Sequence, residues 1–101
     1  TETVLDLMRA RFRAEAADED AFSIALTVSG EAAPHYLTVR NNTLFLTRTR
    51  PEEVGSTARI NRETLNRIAA RATDWRAAAT SDGIAVLSGT GVFARFTELI
   101  E

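Results

Sequence analysis

Few side chains in this 101-residue chain could do chemistry. There is one histidine, His35, and no cysteine, and neither H-E-x-x-H nor any paired-histidine spacing occurs. Transition-metal ligation needs several such donors at set intervals, so no metal and no cofactor is expected. His35 follows Pro34 at the start of a candidate strand and has no partner that would make a catalytic triad, so it reads as a surface or rim histidine. Gly89-Thr90-Gly91 stands ahead of a helix but lacks the third glycine and the lysine of a phosphate loop, which leaves a strand-to-helix turn. Asp18, Glu19 and Asp20, and likewise Glu52 and Glu53, are solvated charge runs. An acid–base pair needs two carboxyl groups held in different environments within a cleft, and no such pair can be named. Arg48-Thr49-Arg50 with Arg40 could make a basic patch at a hairpin end; a solvated strand end is the plainer account. No catalytic constellation is visible, so the chain is not expected to be an enzyme.

Composition narrows the remaining classes. Hydrophobic residues make up 45% and charged residues 26%, which suits one globular domain, here residues 1–101, and not a disordered chain. The formal net charge is -2 although every basic residue is Arg, so no nucleic-acid partner is expected. No apolar run approaches the ~18 residues of a membrane span, so no stable membrane insertion is expected. Thr1-Glu2-Thr3 has neither the basic nor the apolar segment of a leader, and a cytoplasmic location is expected.

The elements that would position any site follow from periodicity. Val4, Leu5, Met8 and Phe12 recur at helical spacing and predict a helix over 3–15, with Thr3 as N-cap. Arg9, Arg11 and Arg13 then fall toward its C-terminal end, where cations suit the helix dipole. From Phe22 the period becomes two. Phe22, Ile24, Leu26 and Val28 alternate with small or polar residues, then His35, Leu37 and Val39 do so, then Leu44 and Leu46. The turn at 29–34 and the Asn41-Asn42 pair join these strands into an antiparallel meander. Thr57 to Ile60 can form a short fourth strand. Asn61 caps a helix reaching about Arg71, and Thr73 or Asp74 opens a shorter one through Trp75 to Ala79. Asp82-Gly83 is a turn, Ile84 to Leu87 a strand, and Val92 to Glu101 a closing helix with Phe93, Phe96 and Ile100 on one face. The expected fold is α+β, a single antiparallel, mixed-edge sheet of about five strands with helices packed on one face.

The apolar side chains carry more information than the polar ones. Phe45 shares a strand face with Thr43 and Thr47, so that strand is apolar on both sides at its middle; it is either central or presents Phe45 to a ligand or partner. Trp75 is followed by Ala77, Ala78 and Ala79, and small residues around one large aromatic mean either tight helix packing or space. Phe93 and Phe96 lie on a terminal helix that could cover a pocket.

Three segments together resemble a known family. They are Tyr36 to Leu44, Ile60-Asn61-Arg62-Glu63-Thr64-Leu65, and Asp82-Gly83-Ile84-Ala85-Val86-Leu87-Ser88-Gly89. In order and turn chemistry they are similar to the sterol-carrier-protein type 2 fold, most of all to the version at the C-terminus of metallo-β-lactamase-type alkyl sulfatases. The likeness covers nearly the whole chain. It implies a five-stranded sheet with helices enclosing an apolar groove or tunnel for fatty acyl, alkyl or sterol-like chains. In the sulfatases such a domain is thought to help recruit the aliphatic substrate while a separate zinc domain hydrolyses it, and the metal motif of that domain is absent from this sequence. The resemblance thus implies a non-catalytic domain binding an apolar small molecule. For its site the residues themselves nominate Met8, Phe12, Phe45, Trp75, Leu87, Phe93 and Phe96 as lining, and Arg48 and, less strongly, Arg40 as anchors for an anionic head. The alternative is a structural or dimerisation domain of the same fold with a filled core, forming a homodimer through an exposed apolar patch. The two differ in one quantity: a carrier has a cavity of a few hundred Å³, and a structural domain packs to crystal-like density.

Overall fold

The alternation from Phe22 to Thr47 becomes three strands, and turn chemistry joins two of them. A computed structural model describes residues 1–17, 19–81 and 83–100 of the chain. In it β1 is Phe22–Val28, β2 His35–Arg40 and β3 Thr43–Thr47. Asn41 and Asn42 have φ of 51° and 57°, the left-handed pair that a two-residue type I′ turn requires. They set Arg40 opposite Thr43 and Thr38 opposite Phe45. The fourth strand, β4 (Ser56–Ile60), is present but runs parallel to β1, with Ile24 opposite Ser56 and Val28 opposite Ile60. The last strand, β5 (Ile84–Ser88), pairs antiparallel with β4, which gives the order β3-β2-β1-β4-β5. The sheet is therefore mixed at its centre as well as α+β in class. Because β3 and β4 run the same way, residues 48–55 carry the chain from one end of the sheet to the other.

The first helical stretch is shorter and more broken than its periodicity predicts. Helix α1 is Glu2–Met8 with Thr1 as N-cap, a 3₁₀ turn covers Arg9–Arg11, and α2 is Ala14–Ala17. Between them Phe12 is extended (φ -71°, ψ 132°) and forms a bridge with Ile100, while the Arg13 N–H donates to the Leu99 carbonyl at 2.7 Å. Pairing with the end of the chain, a long-range event, overrides local helix propensity here. For the same reason the closing helix α5 (Thr90–Leu99) stops before Ile100, which is extended and buried. The Asp82 half of the expected turn and Glu101 lie outside the described residues.

Caps mark the other helices as the sequence predicts. The Asn61 side chain accepts from the Thr64 N–H at the start of α3 (Arg62–Ala69), and Asp74 accepts from the Ala77 N–H at the start of α4 (Trp75–Thr80). Helix α3 ends two residues earlier than expected. The Ala72 N–H donates to the Arg67 carbonyl and the Arg71 N–H to the Ile68 carbonyl, with Arg71 at φ 62°. That is a Schellman ending with arginine in the position glycine usually takes.

Two faces of the sheet differ. Ile24, Leu26, Val28, Leu37, Val39 and Ile60 share one apolar cluster with Leu5 and Met8 of α1, Leu65 and Ile68 of α3, Trp75 of α4 and Phe96 of α5. The helices thus cover this face. Ala25 and Tyr36, paired in register, are buried but stand outside that cluster, as alternation along the strands requires of the opposite face.

Candidate apolar grooves

Trp75, Phe93 and Phe96 meet because two elements bring them together. Asp74 fixes the start of α4 and aims Trp75 inward, and Gly89 at φ 65° turns the chain from β5 into α5. Trp75 meets Phe96 edge-on with centroids 5.3 Å apart, and Phe93 lies 5.8 Å from Phe96 at 51°. All three are at most 1% exposed, as is Leu65, and Met8 is 2% exposed. The space between sheet and helices is thus filled by side chains, and the Trp75 indole N–H is buried there without a partner among the described residues. Trp75 and Ala78 pack inward, whereas Ala79, one position on, leaves room. Both outcomes expected of the alanine run occur, on different faces of α4.

That room is a groove of about 430 Å³ at the β5 edge of the sheet, between α4 and α5. Val86 and Phe93 form its floor, Ala79 and Ala94 its walls, and Arg76, Thr80, Thr90 and Thr97 the polar positions. Its volume falls in the range of small-molecule sites, and its lining is half apolar and half polar.

A second groove, about 350 Å³, runs between α1 and the β3 edge. Leu5 and Leu46 are its apolar part, and Glu2, Asp6, His35 and Arg48 its polar part. Arg48 is already engaged there: its guanidinium donates to Glu2 Oε1 at 3.1 Å and to the Ala33 carbonyl at 3.4 Å. With two carboxylates on the rim and its cation paired, this groove suits an anionic head less well than the one at β5.

The other residues singled out from the sequence are dispersed. Phe45 is on an edge strand, not a central one, and 41% exposed, with the Arg40 guanidinium 5.4 Å above its ring. Leu87 is 60% exposed beside the register shift of β5 at the other edge. Phe12 is half-buried at its bridge to Ile100. Of the nine, only Phe93 lines the β5 groove, and only Arg48 lines the α1 groove.

His35 is not a surface residue. It is 4% exposed on the helix-covered face, opposite Leu26, and its Nε2 lies 2.8 Å from Glu31 Oε1. The other carboxylate oxygen of Glu31 accepts from Arg62 Nη2 at 2.8 Å and from the Thr1 hydroxyl. The Thr1 hydroxyl and His35 hold the Glu31 carboxyl down from its ordinary 4.5 to about 2. Arg11, expected to serve its own helix, instead reaches the C-terminus of α3 and donates to the Ile68 and Ala69 carbonyls at 2.8 Å each. Asp20, read as solvated, pairs with Arg95, whose Nε and Nη2 donate to Oδ2 at 2.9 and 2.6 Å. Sequence reasoning missed Arg71 and Arg76; the only signal was their placement on either side of the α3–α4 turn.

Among the described residues no helix is long and apolar enough to cross a membrane. The family model described as "Alkyl sulfatase C-terminal" matches residues 1–101. A double mutant of the sec-alkyl sulfatase PisA1 superposes with a TM-score of 0.79 at 20% identity, over 99% of this chain and 16% of that one. The stereoselective inverting sec-alkylsulfatase Pisa1 from Pseudomonas sp. gives 0.75 at 21% identity, over 95% and 15%. Palmitated SCP2L2 from Aedes aegypti gives 0.71 at 16% identity, over 97% and 91%. These likenesses establish a shared fold, and the chain spans about a sixth of the sulfatases' length. No curated protein sequence matches the chain.

Proposed function

The chain belongs to the alkyl sulfatase C-terminal family, and from that premise we propose that it is a non-catalytic domain that binds the aliphatic part of a ligand. The observation that supports this reading is the groove of about 430 Å³ between β5, α4 and α5, floored by Val86 and Phe93. Burying an alkyl chain there removes apolar surface from water on both partners, at about 25 cal/mol per Å². The filled interior makes this a surface groove bound from the side and not an enclosed tunnel. In a longer sulfatase such a domain would gather the amphiphilic substrate for a separate hydrolytic domain, and the palmitated state of SCP2L2 is one analogy.

A fluorescent fatty acid titrated into the protein tests the reading. Trp75 meets Phe96 edge-on, and Phe96 contacts Phe93 of the groove floor, so Trp75 emission reports on occupancy. Saturable one-to-one binding is expected, and Ala94→Trp, which fills the groove from an exposed helix position, is expected to weaken it at least tenfold. Unchanged affinity in that variant would place the ligand elsewhere, and absence of any binding would sink the carrier reading.

One observation favours a second reading, a structural or dimerisation domain: the packing of Trp75, Phe93 and Phe96 leaves no internal space between them. On that reading the exposed Phe45, Leu87 or Leu7 would meet a second copy or another domain. A concentration-dependent mass in sedimentation equilibrium, without lipid binding, is its signature.

A further inference from the structure

The apolar groove does not end at α4. Arg76 and Thr97 line it and also line a neighbouring depression of about 720 Å³ between the 3₁₀ turn, the α3–α4 turn and the end of α5. Around that depression stand Arg11, Arg71 and Arg76, against one carboxylate among the described residues, Asp74. Asp74 is already occupied: its Oδ1 accepts the Ala77 N–H at 2.7 Å. The Arg11 guanidinium is held by the Ile68 and Ala69 carbonyls. Among the described residues, the guanidinium groups of Arg71 and Arg76 make neither an ion pair nor a hydrogen bond, a state they share with Arg13, Arg50, Arg59 and Arg67; what sets them apart is their place on this depression. The half-apolar groove thus adjoins a basic depression through Arg76 and Thr97, and among the described residues two of its cations have no partner.

The backbone at Arg71 adds a second, independent observation. Its φ of 62° is the left-handed position of a Schellman ending. Glycine occupies that position without steric penalty and any other L-residue is strained there. A side chain at a strained position is a candidate for a role beyond the local backbone. A cation near the last carbonyls of α3 gains something from the helix dipole, but Arg11 already satisfies the carbonyls of Ile68 and Ala69.

Resting on the carrier reading above, we propose that Arg71 and Arg76 form the headgroup subsite of the β5 groove. The ligand is then an amphiphile with an anionic head, a carboxylate or a sulfate ester, and not a neutral alcohol or sterol. The tail lies over Phe93 and Val86, and the head passes Thr97 to reach the two guanidinium groups. Arginine suits both heads because its planar fork donates two parallel hydrogen bonds to paired oxygens.

The test is displacement of the bound fluorescent fatty acid by decanoate, decyl sulfate below its micellar concentration, and 1-decanol, with wild type, Arg76→Gln, Arg71→Gly and the control Arg59→Gln. Arg59 is exposed on β4 and lies in neither trough. The two anions are expected to bind about tenfold more tightly than decanol in the wild type. Each trough variant should lose about three- to tenfold for the anions and nothing for decanol, with Arg59→Gln unchanged. Rising salt should weaken the anions alone. A preference for sulfate over carboxylate, or the reverse, decides between the two heads.

Arg71→Gly separates function from folding, because the same change should raise the thermal midpoint by about 2–4 °C by relieving the left-handed strain. Weaker anion binding in a more stable protein supports the subsite. Equal binding of decanol and the anions, unaffected by either substitution, overturns the headgroup assignment and leaves the apolar groove standing. Failure of every probe to bind overturns the carrier reading and this inference with it.

Discussion

Glu31 draws together residues far apart in sequence. Its carboxylate accepts from Thr1, faces His35 Nε2 and pairs with Arg62, so it ties the chain start, β2 and α3 into one polar cluster. Because its folded pKa, about 2, lies below the ordinary 4.5, the stability it contributes is fully present above pH 4.5. That stability is lost as the pH falls from 4.5 toward 2. Glu31→Gln is expected to cost about 1–2 kcal/mol at pH 7 and to flatten the urea-denaturation midpoint across that acid window. An unchanged slope between pH 5 and 2 in the variant would show that other carboxylates control acid unfolding. None of this was legible in the sequence. A lone histidine after a proline is more often exposed, and only the strand register, which sets His35 opposite Leu26 under the helices, buries it. Arg71 and Arg76 were equally silent, since an arginine's role depends on which neighbours have already used its partners.

At the scale of elements, turns and caps made by Asn, Asp or Gly were readable, whereas the left-handed ending at Arg71 and the endings made by a distant segment were not. Asn41-Asn42 announced the hairpin, and Asn61 and Asp74 announced their helices, because those side chains act on atoms within a few residues. The break of the first helix at Phe12 depends on Ile100 and was invisible locally. Gly89 shows both kinds of cause. Its φ of 65° needs glycine for conformational reasons, and a Cβ there would strike the Gly55 carbonyl oxygen and crowd Ser56 Cα. Gly89→Ala is therefore expected to destabilise by more than about 2 kcal/mol, well beyond the ~1 kcal/mol of a left-handed residue alone. Chemical denaturation measures it, and a loss under 1 kcal/mol would mean that the β4–β5 end relaxes away from α5 at little cost.

For the whole molecule, one apolar cluster spans the sheet and helices α1, α3, α4 and α5. Unfolding is therefore expected to be a single cooperative transition, with Trp75 emission and far-ultraviolet circular dichroism giving the same midpoint. Two separated midpoints would divide the chain into more than one folding unit. The α+β class, the meander, the starts of α3 and α4 and the family likeness were legible in the sequence, because alternation, helical spacing and capping are local consequences of side-chain chemistry. The tertiary structure alone decided that β4 lies parallel to β1, that Trp75, Phe93 and Phe96 fill the interior, and that the open groove lies outside at the β5 edge beside Arg71 and Arg76, unpaired among the described residues. The physical reason is common to all three: strand pairing, packing density and the commitment of a charge are properties of neighbours in space, and sequence spacing constrains neighbours only within an element.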